Sequence, residues 1–240
     1  MNVLVTGGSS GLGKSIVELL STENENHIYF TFRNHKEAAD SICAQFSNVT
    51  ALRCDFTDPT TVDEVINKIA EFDLDVLINN AYSGITLGQH FHRTPITDFE
   101  KAFQNNVLPL IAITQKCLET FRKKKGGKII TVLTSALVGT PPMGYSVYSA
   151  TKAYIAQLVK SWSREYIKFG ITSNAVAPDF MQTALTEETN DFVKEQIREG
   201  NPLKKILTTE EVALIVKDLV KASPQFNGVI IPVNAGVNIL

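Results

Sequence analysis

Tyr148 and Lys152 stand four residues apart in a stretch with the pattern of a helix, which places both side chains on one helix face. A phenol has a pKa of about 10 in water and is a poor base at neutral pH. A fixed ammonium group one turn away favours the phenolate and lowers that pKa. The pair could therefore move a proton to or from a substrate oxygen. Because Tyr-x-x-x-Lys pairs also arise by chance, a surface pair is the alternative interpretation.

Ser135 gives this pair a structural context, because it directly follows the apolar run Lys128–Thr134, thirteen residues before Tyr148. The carboxyl ends of parallel strands line the ligand crevice of α/β sheets. A hydroxyl at such a position can form a hydrogen bond to a substrate oxygen and fix its place. The alternative is that Ser135 only forms a turn.

A glycine cluster follows the first apolar run, Asn2–Thr6, and precedes a stretch with helical pattern. Glycines at 7, 11 and 13 allow a tight turn and the close approach of backbone to a pyrophosphate, which the helix N-terminus would also attract. The position between a first strand and a first helix makes this signal much stronger than a bare glycine triplet. A glycine-rich turn without a ligand is the alternative.

The end of the second apolar run bears on the choice of cofactor. An acidic residue there binds the ribose 2′-hydroxyl of NAD, whereas a basic one accommodates the 2′-phosphate of NADP. Here the run ends in Arg33 and Asn34 without a carboxylate, which favours NADP(H) and leaves NAD(H) possible. Arg33 could instead stack on the adenine or face solvent. Asp55, after the third run, could accept from the adenine amino group or form a turn.

Short apolar runs alternate with longer helical stretches along the whole chain, which predicts an α/β fold. The runs have little period-two alternation, as expected for strands that are buried on both faces of a parallel sheet. They are Asn2–Thr6, Ile28–Phe32, Val49–Cys54, Asp75–Asn79, Lys128–Thr134, Ile171–Ala177 and Val229–Val233. The helical stretches are 11–21, 35–46, 59–71, 97–124, 146–169, 184–198 and 209–222. We expect a single doubly wound Rossmann domain over residues 1–240, with a mostly parallel seven-stranded sheet, helices on both faces and a substrate lid at about 178–205.

Composition excludes several other classes of protein. The chain has 240 residues, 44% of them hydrophobic and 20% charged, with a formal net charge of −2, so bulk charge gives no sign of a nucleic-acid or acidic-membrane partner. The three cysteines have neither metal-ligand nor disulfide spacing, and we expect a cytoplasmic protein. His90 and His92 could ligate a metal, but no third ligand has suitable spacing, so we expect no metal site.

Read together, these residues resemble the short-chain dehydrogenase/reductase family, and the pattern is most similar to that of its 3-oxoacyl-acyl-carrier-protein reductases. The resemblance covers the whole chain. It rests on the glycine cluster, on Asn79-Asn80-Ala81, on the Ser135, Tyr148 and Lys152 trio, and on the ending Ile231-Pro232-Val233-Asn234-Ala235-Gly236. The resemblance implies that Asn106 bends a helix and serves a proton relay beside that trio, so that Ser135, Tyr148, Lys152 and Asn106 form the catalytic set.

The resemblance also implies a set of cofactor-binding positions. They are Gly7, Ser9, Ser10, Gly11, Leu12, Gly13, Arg33, Asn34, Asp55, Phe56, Asn80, Ala81, Tyr148, Lys152, Pro178, Met181 and Thr183. Three positions depart from the family pattern, since Tyr82, Asp179 and Ala235 each stand where glycine is usual. Tyr82 and Asp179 would lie near the nicotinamide and the substrate, and they leave the identity of the substrate open.

The sequence thus predicts an NADPH-dependent reductase of a ketone or a 3-oxoacyl thioester, either free or bound to a carrier protein, that assembles as a homodimer or homotetramer. Two alternatives stay open. One is an NAD-dependent alcohol dehydrogenase of the same family. The other is a protein that binds or senses NADP(H) without turnover, although such a protein would not need all four catalytic residues.

Overall fold

The computed structural model describes residues 1–84, 89–183, 186 and 189–238. Within these residues, seven strands form one sheet: β1 Asn2–Val5, β2 His27–Phe32, β3 Val49–Arg53, β4 Val76–Asn79, β5 Gly127–Val132, β6 Ile171–Pro178 and β7 Ile230–Val233. Each lies within one or two residues of a predicted strand. The helices are α1 Gly11–Ser21, α2 Lys36–Gln45, α3 Pro59–Ile69, α4 Ile96–Ala102, α5 Leu108–Lys124, α6 Ser146–Tyr166, α7 Asp191–Gly200 and α8 Thr209–Lys221.

The strands run in the order β3-β2-β1-β4-β5-β6-β7, and every neighbouring pair is parallel. The predicted doubly wound sheet is therefore confirmed. The chain order reverses between β1 and β4, and in such sheets ligands bind in the crevice outside the carboxyl ends at this switch point. That edge carries the residues that follow β1, β2, β4, β5 and β6.

Two apolar clusters cover the two faces of the sheet, because successive residues of a strand point to opposite sides. In β1, Leu4 belongs to the cluster under α3, α5 and α6. Its neighbours Val3 and Val5 belong to the other cluster, under α1, α2 and α8. All three side chains are fully buried. A strand that is buried on both faces accounts for the continuous apolar runs in the sequence.

Two helix starts follow the capping signals in the sequence. The Asp58 side chain accepts from the Thr60 backbone N–H at 3.0 Å, with Pro59 in the first turn of α3. Thr208 and Glu211 form a reciprocal capping box at the start of α8. Each signal satisfies backbone N–H groups that the helix itself leaves unpaired, and it thereby fixes where the helix begins.

The stretch predicted as one helix over 97–124 is interrupted by a π-helical turn over Phe103–Val107. Two residues explain the interruption. Pro109 has no N–H to give to the carbonyl of Asn105. The Asn106 side chain donates to the Ala102 carbonyl at 3.1 Å and so competes with the backbone ladder. The predicted bend at Asn106 is present and takes this form.

The helix predicted over 184–198 begins later, at Asp191. Its N-cap is Asn190, whose side-chain oxygen accepts from the Phe192 backbone N–H at 2.8 Å. This cap sets the start, because a capping residue has non-helical backbone angles. Residues 184, 185, 187 and 188 of the predicted helix lie outside the described residues.

Candidate active site

The turn between β1 and α1 depends on its glycines. Gly7 and Gly11 have positive φ angles of 70° and 51°. A Cβ on Gly13 would lie 1.9 Å from the Gly7 carbonyl oxygen, which no side chain can tolerate. Ser10 is the N-cap of α1 and makes no side-chain capping hydrogen bond in the described structure. The N-terminus of α1 therefore presents backbone N–H groups and a positive dipole end, which suit a pyrophosphate.

Sequence reasoning missed Gly8 in this turn. A Cβ there would approach Phe30 Cβ to 2.6 Å and Val17 Cγ2 to 2.8 Å. The Gly8 backbone N–H donates to the Thr31 carbonyl at 2.8 Å, which holds the turn against β2. The sequence shows Gly8 as the second residue of a Gly-Gly pair, but only the packing against Phe30 and Val17 shows why glycine is required at this position. Of the other predicted turn residues, Ser9 and Leu12 are buried.

Asn80 and Ala81 hold this turn in place from the end of β4. The Thr6 hydroxyl accepts from the backbone N–H groups of Asn80 at 2.9 Å and Ala81 at 3.0 Å. The Asn80 side-chain amide donates to the carbonyls of Thr6 at 2.9 Å and Gly7 at 3.0 Å. The Asn80 side chain therefore shapes the binding turn, and Thr6 is a partner that the sequence did not single out.

Arg33 and Asp55 mark the end of the crevice near β2 and β3. Arg33 is exposed, and its Nη1 donates to Ser83 Oγ at 3.3 Å, so the guanidinium spans from the end of β2 to the segment after β4. Asp55 Oδ1 accepts from the backbone N–H of Thr57 at 2.9 Å and from its hydroxyl at 2.8 Å. The turn-forming interpretation of Asp55 is thus realised, and an adenine contact stays a prediction. Asn34 is exposed beside Arg33, whereas Phe56 is buried in the core.

Lys152 is buried under the carboxyl end of the sheet, with 5% of its surface exposed. Its Nζ donates to the Val132 carbonyl oxygen at 2.8 Å. The same nitrogen lies 4.7 Å from the centre of the Tyr82 ring and 5.9 Å from that of Tyr148. The two rings meet edge to face with centroids 5.2 Å apart. Tyr82 therefore packs against both members of the Tyr148–Lys152 pair.

The pKa values of this pair differ from the expectation that the ammonium lowers the pKa of the phenol. Burial raises the pKa of Tyr148 to about 12, although a hydrogen bond with the Thr134 side chain opposes the shift. Burial lowers the pKa of Lys152 to about 7. The sequence-based expectation is wrong for the protein's own groups, because loss of water outweighs the attraction between them. Tyr148 is accordingly a protonated phenol at neutral pH.

Ser135 lies beside Asp179, the residue that directly follows β6. The Ser135 hydroxyl donates to Asp179 Oδ1 at 3.0 Å, and the Asp179 backbone N–H donates to the Val233 carbonyl at 3.0 Å. Tyr145 lies near Asp179 and Tyr148. Its pKa is raised mainly by burial and, to a smaller extent, by the negative charge of Asp179. The Tyr145 ring meets the Tyr148 ring edge to face, with centroids 6.0 Å apart. Sequence reasoning flagged Asp179 and passed over Tyr145.

Neither Tyr82 nor Asp179 has a positive φ angle, so a side chain is sterically allowed at both positions. Ala235 differs, because its φ is 52°, in the left-handed region that favours glycine. Of the three departures from the family's glycines, only Ala235 carries backbone strain.

Asn106 is buried, with 1% of its surface exposed. Its Oδ1 accepts from the Ser83 backbone N–H at 2.6 Å, and its Nδ2 donates to the Ser83 carbonyl at 3.2 Å. These hydrogen bonds join the π-helical turn to Ser83, in the segment after β4. The Ser83 hydroxyl also accepts a hydrogen bond from Arg33, so this segment is held from both sides. A contact between Asn106 and a relay of waters stays a prediction.

The segment that follows β6 passes next to the glycine turn between β1 and α1. A Cβ on Gly11 would lie 3.2 Å from Thr183 Cβ, so Thr183 stands directly over the start of α1. The Thr183 backbone N–H donates to the Thr186 hydroxyl at 2.9 Å. Pro178 ends β6, and Met181 forms a parallel bridge with Leu207. These three predicted residues, Pro178, Met181 and Thr183, are therefore close to the site where a dinucleotide would lie.

A half-open cleft of about 250 Å³ lies beside Tyr148, between the segment after β4 and the α4–α5 region. Its walls combine phenol, carboxylate, amide and ammonium groups. The lining residues that carry these groups are Tyr82, Asp98, Lys101, Asn105 and Tyr148. No group of three or more potential metal-ligating side chains occurs in the described part of the chain.

The fold and the glycine turn define an α/β dinucleotide-binding protein. A family model described as short chain dehydrogenase matches residues 1–194, and the chain belongs to that family. It is an NAD(P)-dependent oxidoreductase that acts on CH–OH or C=O groups. No helix in the described residues is both long and apolar enough to cross a membrane.

Curated relatives and solved structures agree with this assignment. The chain is 30% identical to the 3-oxoacyl-acyl-carrier-protein reductase FabG of Aquifex aeolicus, over 98% of this chain and 96% of that protein. It is 31% identical to the corresponding Escherichia coli reductase, with the same coverage. The structure of ElxO with NADP bound is similar, with a TM-score of 0.87, 29% identity and 98% of each chain covered. A variant of ElxO with NADPH bound gives the same values.

Proposed function

We propose that the protein is an NADPH-dependent reductase of a ketone or a 3-oxoacyl thioester, with Tyr148 as the proton donor. The observation that carries the proposal is the protonated Tyr148 phenol beside a buried lysine at the carboxyl edge of the sheet. A carbonyl oxygen that gains a hydride becomes a strongly basic alkoxide and needs such a donor. The relatives that reduce 3-oxoacyl groups and the neighbours with NADP or NADPH support this reading.

The residues present fit a dinucleotide. Gly13 lets α1 pack directly against the Gly7 carbonyl, and Ser10, the N-cap of α1, makes no side-chain capping hydrogen bond, so the backbone N–H groups at the start of α1 can receive a pyrophosphate. Arg33 would hold the 2′-phosphate, Thr183 would contact the nicotinamide end, and Lys152 would hold the adjacent ribose. When bound, the reduced cofactor supplies the hydride.

The chain's own groups account for the remaining steps. Tyr148 donates its phenol proton to the substrate oxygen, and Ser135, whose hydroxyl donates to Asp179, offers its oxygen as a hydrogen-bond acceptor beside the substrate. When Lys152 is protonated, its positive charge stabilises the phenolate that forms on Tyr148. Asn106 keeps the segment after β4 in place and supports resupply of the proton. The proposal also includes the predicted lid, in which residues 178–205 would cover the bound substrate.

Replacement of Tyr148 by Phe tests the assignment of the donor. We expect NADPH affinity to stay within about twofold and turnover to fall by about a hundredfold or more, because general acid catalysis contributes that much. NADPH absorbance with a panel of ketones and acyl thioesters measures the rate, and NADPH fluorescence measures binding. Tyr154→Phe, an exposed phenol on the same helix, is the matched control. A Tyr148→Phe enzyme with near-normal turnover would refute the mechanism.

Replacement of Arg33 by Asp tests the cofactor preference. A charge-assisted hydrogen bond to phosphate is worth about 1.5–3 kcal/mol, so NADPH should bind about ten- to a hundredfold more weakly while NADH does not weaken. Arg164→Glu, at the far end of α6, reverses a charge away from the crevice and serves as control. Equal affinity of the unmodified protein for NADPH and NADH would favour the NAD-dependent dehydrogenase instead. Tight NADPH binding without reduction of any carbonyl would favour a sensor.

We also propose that the chain assembles as a homodimer or homotetramer. Support comes from large apolar side chains that are exposed on α4, α5 and α6, namely Ile96, Leu108 and Tyr154. Light scattering coupled to size-exclusion chromatography measures the assembly, and a monomer at micromolar concentration would contradict this part of the proposal.

A further inference from the structure

Asp179 changes what the catalytic serine can do. A serine hydroxyl has one proton and two lone pairs. In this structure the proton points to Asp179, because Ser135 Oγ donates to Asp179 Oδ1 at 3.0 Å. The serine is 8% exposed, and the Asp179 backbone is held by a hydrogen bond to the Val233 carbonyl at 3.0 Å. Both partners are therefore fixed, and Ser135 presents lone pairs to the crevice.

A plain ketone oxygen also has only lone pairs, so it gains nothing from Ser135 in this state. Tyr148 remains as a donor to the carbonyl oxygen, since its raised pKa keeps it protonated. A substrate that carries its own donor beside the carbonyl would complete the arrangement. Its carbonyl would accept from Tyr148, while its donor would reach the acceptor pair of Ser135 and Asp179.

The charge of Asp179 acts in the same direction. After burial, it contributes to the raised pKa of Tyr145, whose ring lies 6.0 Å from that of Tyr148. A carboxylate at this place repels an anionic group next to the carbonyl and attracts an ammonium group.

We propose that Asp179 makes the site selective for carbonyl compounds that bear a hydroxyl or ammonium group on the carbon next to the carbonyl, and makes it reject 2-oxo acids. This inference rests on the proposed reductase function and narrows its substrate class. Asp179 acts as a specificity-determining residue through Ser135 and through its own charge.

Three small ketones of nearly equal size test the inference. Hydroxyacetone and butanone differ only by hydroxyl against methyl, and pyruvate carries a carboxylate in place of the whole CH2OH group. With NADPH, we expect kcat/KM for hydroxyacetone to exceed that for butanone by about tenfold or more, as for one hydrogen bond to a charged group. Pyruvate should be the poorest of the three, and an acetoacetyl thioester should not exceed hydroxyacetone.

Asp179→Asn keeps the size of the side chain and removes the charge. We expect the hydroxyacetone-to-butanone ratio to fall below about threefold and pyruvate to gain relative to butanone. Because each ratio is taken within one enzyme preparation, a partial loss of folded protein cancels. Asp218→Asn, an exposed carboxylate on α8, should leave all ratios unchanged. NADPH fluorescence should give the same affinity for both variants and the unmodified protein.

The outcomes separate the two proposals. Reduction of butanone or the acetoacetyl thioester as fast as hydroxyacetone overturns the role of Asp179 and leaves the reductase function standing. A preference for hydroxyacetone that survives in Asp179→Asn also overturns that role. Absence of NADPH oxidation with every one of these carbonyls overturns the proposed function and the inference with it.

Discussion

Replacement of the buried Lys152 by Met should stabilise the protein while abolishing its activity. Burial lowers the pKa of Lys152 from an ordinary value of 10.5 to about 7. Each pKa unit corresponds to about 1.4 kcal/mol, so the buried charge costs about 4–5 kcal/mol of folding free energy below pH 7. Methionine fills a similar volume without that cost. It loses the hydrogen bond to the Val132 carbonyl, worth about 1–3 kcal/mol when left unmade.

The expected net effect at pH 7 is a gain of about 1–4 kcal/mol in the free energy of unfolding. For a chain of this size, each kcal/mol corresponds to a rise in Tm of about 2–4 °C. Urea titrations of both proteins, followed by circular dichroism, give the difference directly. Lys160→Met, at an exposed position of the same helix, is the matched control and should change stability by no more than about 0.5 kcal/mol.

The pH dependence distinguishes this explanation from a general packing effect. Between pH 7 and 10.5 the unfolded chain binds more protons at Lys152 than the folded chain, so stability of the unmodified protein rises with pH. The advantage of the methionine variant should therefore shrink as pH rises and vanish by about pH 10, where the remaining cost is about 1 kcal/mol. A variant that is less stable at pH 7, or whose advantage does not change with pH, would refute the reasoning.

Two further predictions follow from backbone geometry. Gly13→Ala should remove NADPH binding in a fluorescence titration, because its Cβ would lie 1.9 Å from the Gly7 carbonyl oxygen and the turn must open; a normal affinity would contradict the proposed turn. Ala235→Gly should raise the free energy of unfolding by about 0.5–1 kcal/mol, since it relieves a left-handed φ of 52° at some cost in chain entropy. Urea denaturation measures this gain, and a loss of stability would show that the strain is not there.

The sequence predicted the elements well where a local signal and the fold agree. The helix starts predicted at 59 and 209 agree with the structure, because caps at Asp58 and Thr208 act over a few residues. The glycines at 7, 11 and 13 likewise act within one turn. Prediction from local sequence patterns failed where the structure depends on packing between distant residues or on a side chain that competes for a backbone hydrogen bond within a helix. Gly8 is needed because of Phe30, which is distant in the sequence. The apolar pattern alone predicted one unbroken helix over 97–124, and only the family resemblance pointed to Asn106, whose side chain takes the Ala102 carbonyl.

In the candidate site too, the sequence predicts which residues lie close together but not how deeply they are buried. Spacing alone places Tyr148 and Lys152 together, but it gives no information on how much water each group loses. Burial raises the pKa of Tyr148 and lowers that of Lys152, so both groups favour their neutral forms. The spacing of the two residues suggests the opposite shift for Tyr148. A neutral phenol can donate a proton, which is the role that the proposed reduction gives to Tyr148. The reverse reaction would use the same group as a phenolate, and a positive charge near Tyr148 would help to form it.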